Sequence, residues 1–187
     1  MMKNVNLPDL QSQVAKQRDE SSYKKLYLAF YKPLFEFSNY LIKDPEVAEE
    51  IVSEVMMRIW EMGEDLATIR NLKVYLYKST KNRCLNYLSR NNKYKTVGLD
   101  IEDFEIDINS GFPDPENILI MKELQIGVDS AIRSLSPKCQ VVYKLIRVDG
   151  LCYKEVAEIM NISVKTVDRH LNNALHKLVY SMKIYAD

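Results

Sequence analysis

The sequence predicts an all-α chain: two small helical domains joined by an acidic linker. Three observations lead there. Glycine is scarce, five in 187 residues, and apolar residues recur at spacings of three and four along most of the chain. Charge is segregated although its sum is zero. Residues 1–95 hold 16 basic and 12 acidic side chains, 96–119 hold none and 7, and 120–187 hold 10 and 7. Finally, Leu151–Leu178, LCYKEVAEIMNISVKTVDRHLNNALHKL, reads as two helices around a tight turn. A local basic patch, more than the total, decides whether a surface accepts a polyanion.

The first element is a short helix from Leu7 to Gln17, with Leu10 and Val14 inward. Ser21–Ile42 then places Tyr23, Leu26, Tyr27, Phe30, Tyr31, Leu34, Phe37, Tyr40 and Leu41 at helical period, with a break expected near Pro33. Nearly all of these should be core. Asp44-Pro45 is a helix start, an N-cap followed by proline at the first helical position. That helix runs to about Met62 with Ala48, Ile51, Val52, Val55, Met56, Ile59 and Trp60 inward. Glu46, Glu49, Glu50, Ser53, Glu54, Met57 and Glu61 lie elsewhere. They form either a solvated acidic face or a docking face for a basic partner.

Gly63–Ile69 reads as a loop. Arg70–Lys95, RNLKVYLYKSTKNRCLNYLSRNNKYK, has eight basic residues, no acidic one and four tyrosines. At about 100° per residue, Leu76, Tyr77, Thr80, Cys84 and Leu88 share one arc. Tyr75, Lys78, Ser79, Asn82 and Asn86 share the opposite one, with Arg83 and Arg90 at its edge. Cations that track phosphates, rings that stack on bases and amides that bond base edges are the mixture that grips single strands. Residues 96–115 are too acidic, and too broken by glycine and proline, to pack as a helix. The acidic block to Leu119 reaches at most about 80 Å.

Residues 116–135 form the next amphipathic helix, with Met121, Leu124, Val128, Ala131, Ile132 and Leu135 inward. Ser136-Pro137 opens another that buries Val141, Val142, Leu145 and Ile146 and ends at Gly150. The last pair carries Val156, Ala157 and Met160 on one face. It turns at Asn161-Ile162, caps at Ser163, and buries Val167, Leu171, Ala174 and Leu178. The outer face of the second helix presents Lys165, Thr166, Arg169, Asn172, Asn173 and Lys177. Donors of this kind serve phosphates and major-groove base edges, and the arrangement is a helix-turn-helix.

Cys84, Cys139 and Cys152 are not spaced as metal pairs, and His170 and His176 lie six apart, so neither a metal nor a cofactor is expected. Free thiols in a reducing compartment are expected instead. The N-terminus lacks the apolar core of a signal peptide and no apolar run is long enough to cross a bilayer, so a cytoplasmic protein without membrane insertion is expected. Paired carboxylates, a phosphate loop and a nucleophile–base pair are missing from the sequence, which argues against an enzyme or a small-molecule substrate. A stand-alone helix-turn-helix regulator with an N-terminal sensing domain is the alternative. It leaves the basic tyrosine-rich helix without a task.

The ordered set of an acidic helix ending in Trp60, the helix YLYKSTKNRCLNYL, an acidic linker, and LSPKCQVVYKLIRVDGLCYKEVAEIMNISVKTVDRHLNNALHKL resembles the extracytoplasmic-function (ECF) sigma factors of bacterial RNA polymerase. The resemblance runs from about Tyr23 to Lys183. It implies a region-two-like domain over 7–95, a linker over 96–115, and a region-four-like domain over 116–183. It implies that Glu50, Ser53, Glu54 and Met57 dock on core RNA polymerase. Arg70, Asn71, Tyr75, Lys78, Lys81, Asn82, Asn86 and Tyr87 would open and read the minus-ten element of promoter DNA as a single strand. Lys165, Thr166, Arg169, Asn172 and Asn173 would read the minus-thirty-five element as duplex. An anti-sigma factor is a further implied partner. The family commonly has Ser or Thr where this chain has Cys152; a thiol caps poorly, at a cost of about 1 kcal/mol.

Overall fold

A computed structural model describes residues 6–90, 132 and 134–184. The chain divides into two compact units, residues 1–95 and 96–187. Every described element is helical, in keeping with the all-α class. The acidic segment 96–115 and the inward positions Met121, Leu124, Val128 and Ala131 lie outside the described residues.

In the first unit, α1 (Leu7–Gln17) ends at Arg18 in the left-handed conformation, φ +54°. Asp19 caps α2 (Glu20–Ile42) by accepting from the Ser22 amide at 2.8 Å. Contrary to expectation, α2 continues through Pro33. Proline removes the donor for the Ala29 carbonyl, a penalty of about 3 kcal/mol. Phe30, Leu34 and Phe37 are fully buried around it, at about 1.5–3 kcal/mol each, and that outweighs the penalty. Lys43 in the left-handed region turns the chain. Asp44 then caps α3 (Pro45–Glu61), accepting from the Glu46 and Val47 amides at 3.1 and 3.3 Å.

Gly63, at φ +54°, starts a six-residue 3₁₀ helix, Gly63–Thr68, where the sequence suggested a loop. Leu66 plugs this segment into the core with no exposed surface. Such an anchor depends on distant residues, so local composition does not announce it. Asn71 opens α4 (Leu72–Arg90), its side chain accepting from the Val74 amide at 3.1 Å. Leu76, Tyr77, Thr80, Cys84 and Leu88 of α4 are buried as the helical period requires, and so are Leu72 and Val74. Tyr77 meets Phe37 of α2 ring to ring at 5.3 Å.

In the second unit, Pro137 begins α5 (Pro137–Tyr143), which runs on into a π-turn over Lys144–Val148. Lys144 Nζ lies 2.9 Å from a carboxylate oxygen of Asp149, and both side chains are largely buried. Gly150, at φ +65°, completes the reversal. Then follow α6 (Tyr153–Met160) and α7 (Val164–Ile184), joined through Asn161 at φ +56°. Ile132, Leu135, Cys139, Ala174 and Leu178 form one apolar cluster, with Tyr143 against it.

Candidate nucleic-acid interface

The outer arc of α4 is open to a ligand. Asn82 and Asn86, one helical turn apart, are both exposed, and Tyr75, Lys78, Lys81 and Tyr87 are half-buried beside them. Burial, with the neighbouring Lys78 charge second, holds the Lys81 ammonium below its ordinary pKa. Tyr75 is tethered from below, its hydroxyl 3.5 Å from the Met62 sulfur. Arg70 is exposed at the foot of α4. Asn71 has a structural task as the helix cap. This surface thus combines projecting amides with cations and rings whose stems are gripped by the fold.

The α3 face differs from the sequence expectation in detail. Glu50 is exposed, and Met57 keeps 57 % of its surface open. Ser53 and Glu54 are half-buried, and Glu54 is ion-paired with Arg83 of α4. Trp60, expected in the core, is only half-buried. The Arg18 guanidinium lies 4.1 Å from its ring centroid and also donates to its backbone carbonyl. Tyr23, Tyr27 and Tyr31, also expected in the core, are half-buried. Tyr23 contacts Trp60 at 5.0 Å between centroids, and Tyr27 stacks on Tyr31 at the same distance. The ring contacts thus form a partly exposed ladder. Tyr31 donates to Glu49 at 3.1 Å; burial first, then that carboxylate, pushes its phenol pKa up. Glu20, Tyr23, Met57, Trp60 and Glu61 line a surface notch of about 540 Å³.

In the second unit the Ser163 hydroxyl accepts from the Thr166 amide at 3.0 Å, starting α7. Val167, Leu171, Ala174 and Leu178 face inward. Lys165, Arg169, Asn172 and Asn173 are exposed and Thr166 is half-buried. The Asn172 amide donates to Asp168 at 3.2 Å. Lys177 is exposed as expected, and donates to the Ser134 carbonyl at 2.6 Å. At α6 the Glu155 carboxylate accepts from the Cys152 amide at 2.9 Å, the capping-box arm that runs back to the N-cap.

A half-buried basic helix beside an acidic one, with a separate helix-turn-helix, is matched in order by two family descriptions. Sigma-70 region 2 matches residues 26–94, and Sigma-70, region 4 matches residues 126–178. The chain belongs to the sigma-70 family, in its ECF group. It is similar to the ferric citrate uptake sigma factor FecI of Escherichia coli (strain K12), 26 % identical over 137 residues that span 73 % of this chain and 77 % of that protein. It is also similar to the ECF RNA polymerase sigma-E factor of the same strain, 27 % identical over 63 % of this chain and 64 % of the relative.

Two solved structures share the fold. CnrH in complex with the cytosolic domain of CnrY matches with a TM-score of 0.62 at 16 % identity, over 95 % of this chain and 97 % of that one. The sigma factor RpoE from Bartonella quintana, in complex with the anti-sigma factor NepR, matches at 0.59 and 20 % identity, over 87 % and 97 %. This sigma factor is therefore a DNA-binding protein that directs transcription initiation, and its family consists of initiation factors. None of its described helices is long and apolar enough to cross a membrane.

Two groups in the sigma factor escaped the sequence reading. Gln11, a polar residue at an inward position between Leu10 and Val14, is buried and bonded to the 3₁₀ segment. An amide inside an apolar stripe was the available signal. The Arg18–Trp60 stack carried none, because the two residues come together only through the packing of α1.

Proposed function

We propose that this sigma factor works as two readers on one chain. The region-two-like part, residues 7–95, docks on core RNA polymerase and opens the minus-ten element. The region-four-like part, 116–183, reads the minus-thirty-five element as duplex, and 96–115 links them. The observation that carries the reading is the pair of exposed amides, Asn82 and Asn86, set among half-buried cations and tyrosines on α4. A captured base has an unstacking cost, and a socket with prearranged donors and rings offsets it. Arg70, Asn71, Tyr75, Lys78, Lys81 and Tyr87 complete the socket. Lys165, Thr166, Arg169, Asn172 and Asn173 face the duplex. Glu50, Ser53, Glu54 and Met57 meet the polymerase. The protein acts in the cytoplasm, performs no catalysis of its own and needs no cofactor. An anti-sigma factor restrains it, by analogy with the complex of its structural relative RpoE with the anti-sigma factor NepR.

Run-off transcription with purified core polymerase on genomic fragments tests this reading. The wild-type chain directs specific starts, and Asn82→Ala lowers permanganate-detected opening by about tenfold with recruitment to duplex unchanged. Glu50→Lys lowers co-purification with core polymerase. It is a cleaner probe than reversal of Glu54, which would also break the ion pair with Arg83. Tight duplex binding by a dimer, with no transcripts when polymerase is added, would favour a stand-alone regulator instead.

A further inference from the structure

Helix α1 lies against the 3₁₀ segment that leads into α4, and its side chains hold that segment by the backbone. The buried Gln11 amide donates to the Leu66 carbonyl at 2.7 Å and to the Ile69 carbonyl at 2.8 Å. Arg18, just past the end of α1, donates to the Trp60 carbonyl and stacks on the indole. Three carbonyls between Trp60 and Ile69 thus accept from two side chains seven residues apart, one in the middle of α1 and one at its C-terminal end. Both hydrogens of the Gln11 amide are used, on acceptors three residues apart. Within the segment, the Ile69 amide bonds the Leu66 carbonyl at 3.3 Å, and Leu66 is fully buried. Arg70, at the mouth of the proposed socket, is the next residue after Ile69.

We infer that Gln11 is a positioning residue for single-strand recognition: its clasp on Leu66 and Ile69 fixes the segment that presents Arg70 and starts α4. This rests on the proposed minus-ten reading and adds the element that holds its loop in place. A socket accepts one base over another only if its donors sit still. A six-residue 3₁₀ helix has poor internal hydrogen-bond geometry and does not hold itself. The clasp supplies rigidity from outside the segment.

Gln11→Met keeps the length and volume of the side chain and removes both donors. In holoenzyme, on forked templates carrying each base in turn at the unpaired minus-ten positions, we expect the spread of open-complex yield among bases to shrink by about tenfold. Preference at the minus-thirty-five element and co-purification with polymerase stay at wild-type levels. Hydrogen exchange of the Ile69 amide quickens by about tenfold or more, while α2 and α3 keep their protection. Leu41→Ala, a core change elsewhere in the unit, lowers thermal stability without altering base preference. If Gln11→Met does not fold, Gln11→Asn, one methylene too short to reach both carbonyls, takes its place. Unaltered base preference in the Gln11 variant, alongside its loss in Arg70→Ala, overturns the clasp and leaves the minus-ten reading standing. Unaltered preference in both variants removes that reading, and the clasp's role with it.

Discussion

The two basic helices, α4 and α7, hold their polar groups differently. On α7, Lys165, Arg169, Asn172 and Asn173 project from a helix whose opposite stripe, Val167, Leu171, Ala174 and Leu178, is buried. On α4, Lys78, Lys81, Tyr75 and Tyr87 are half-buried, Arg83 is paired with Glu54, and Asn71 caps the helix. The contrast suits the two tasks proposed for them. Duplex presents its base edges in a groove wide enough for a helix, so projecting side chains suffice. A melted strand has no fixed shape, so the protein must supply the shape, and supplying it means gripping the stems of the side chains that bind. A half-buried cation is costly to hold, and α4 carries that cost in the depressed pKa of Lys81.

The comparison breaks most visibly at Tyr77. This ring is 1 % exposed and packs on Phe37 at the back of α4. Tyr77→Ala should cost about 3–5 kcal/mol of the first unit's stability. It should abolish opening while the chain still protects an upstream duplex in footprints; loss of that protection as well would mean that the two readers are not separable. Arg169→Ala comes next. It should weaken binding to the upstream element by about 1–3 kcal/mol and relax sequence preference there alone. An equal loss on random duplex, measured by competition, would make Arg169 a phosphate contact.

The smallest effect sharpens the comparison. With Lys81's folded-state pKa below 10.5, the unfolded chain binds more protons between the two values, so this residue lets stability rise as pH climbs through that window. Lys81→Met should therefore melt a few degrees higher than wild type near pH 8, and the gap should narrow towards pH 10.5. The same variant should bind forked DNA several-fold more weakly, with a salt dependence shallower by about one ion. A variant that is both less stable and unaltered in binding would show Lys81 to be an ordinary structural contact.

Where signals were local, the sequence disclosed the fold. Asn161, Ser163 and the 4-3-4 stripe of α7 are read within 20 residues, and the structure places each in its expected conformation or burial. Asp44-Pro45 at the head of α3 is equally local. The misreadings are all tertiary. The helix passes through Pro33 because Phe30, Leu34 and Phe37 are buried around it. The segment Gly63–Thr68 is helical because Leu66 is anchored and Gln11, 55 and 58 residues earlier than its acceptors, clasps it. Trp60 fits an apolar stripe on a helical projection, yet it stands at the margin, where Arg18 can cover it. The outer residues of α4 and α7 were legible as surfaces. The tertiary partner of one of them, Glu54 for Arg83, was not.

Trp60 is the chain's single tryptophan, and it sits where three neighbours meet: the end of α1 through Arg18, the start of α2 through Tyr23, and the Met57 notch. Nature has thereby installed one fluorophore with an unambiguous source. Its emission should report in real time when a protein settles against the acidic helix, with no dye attached.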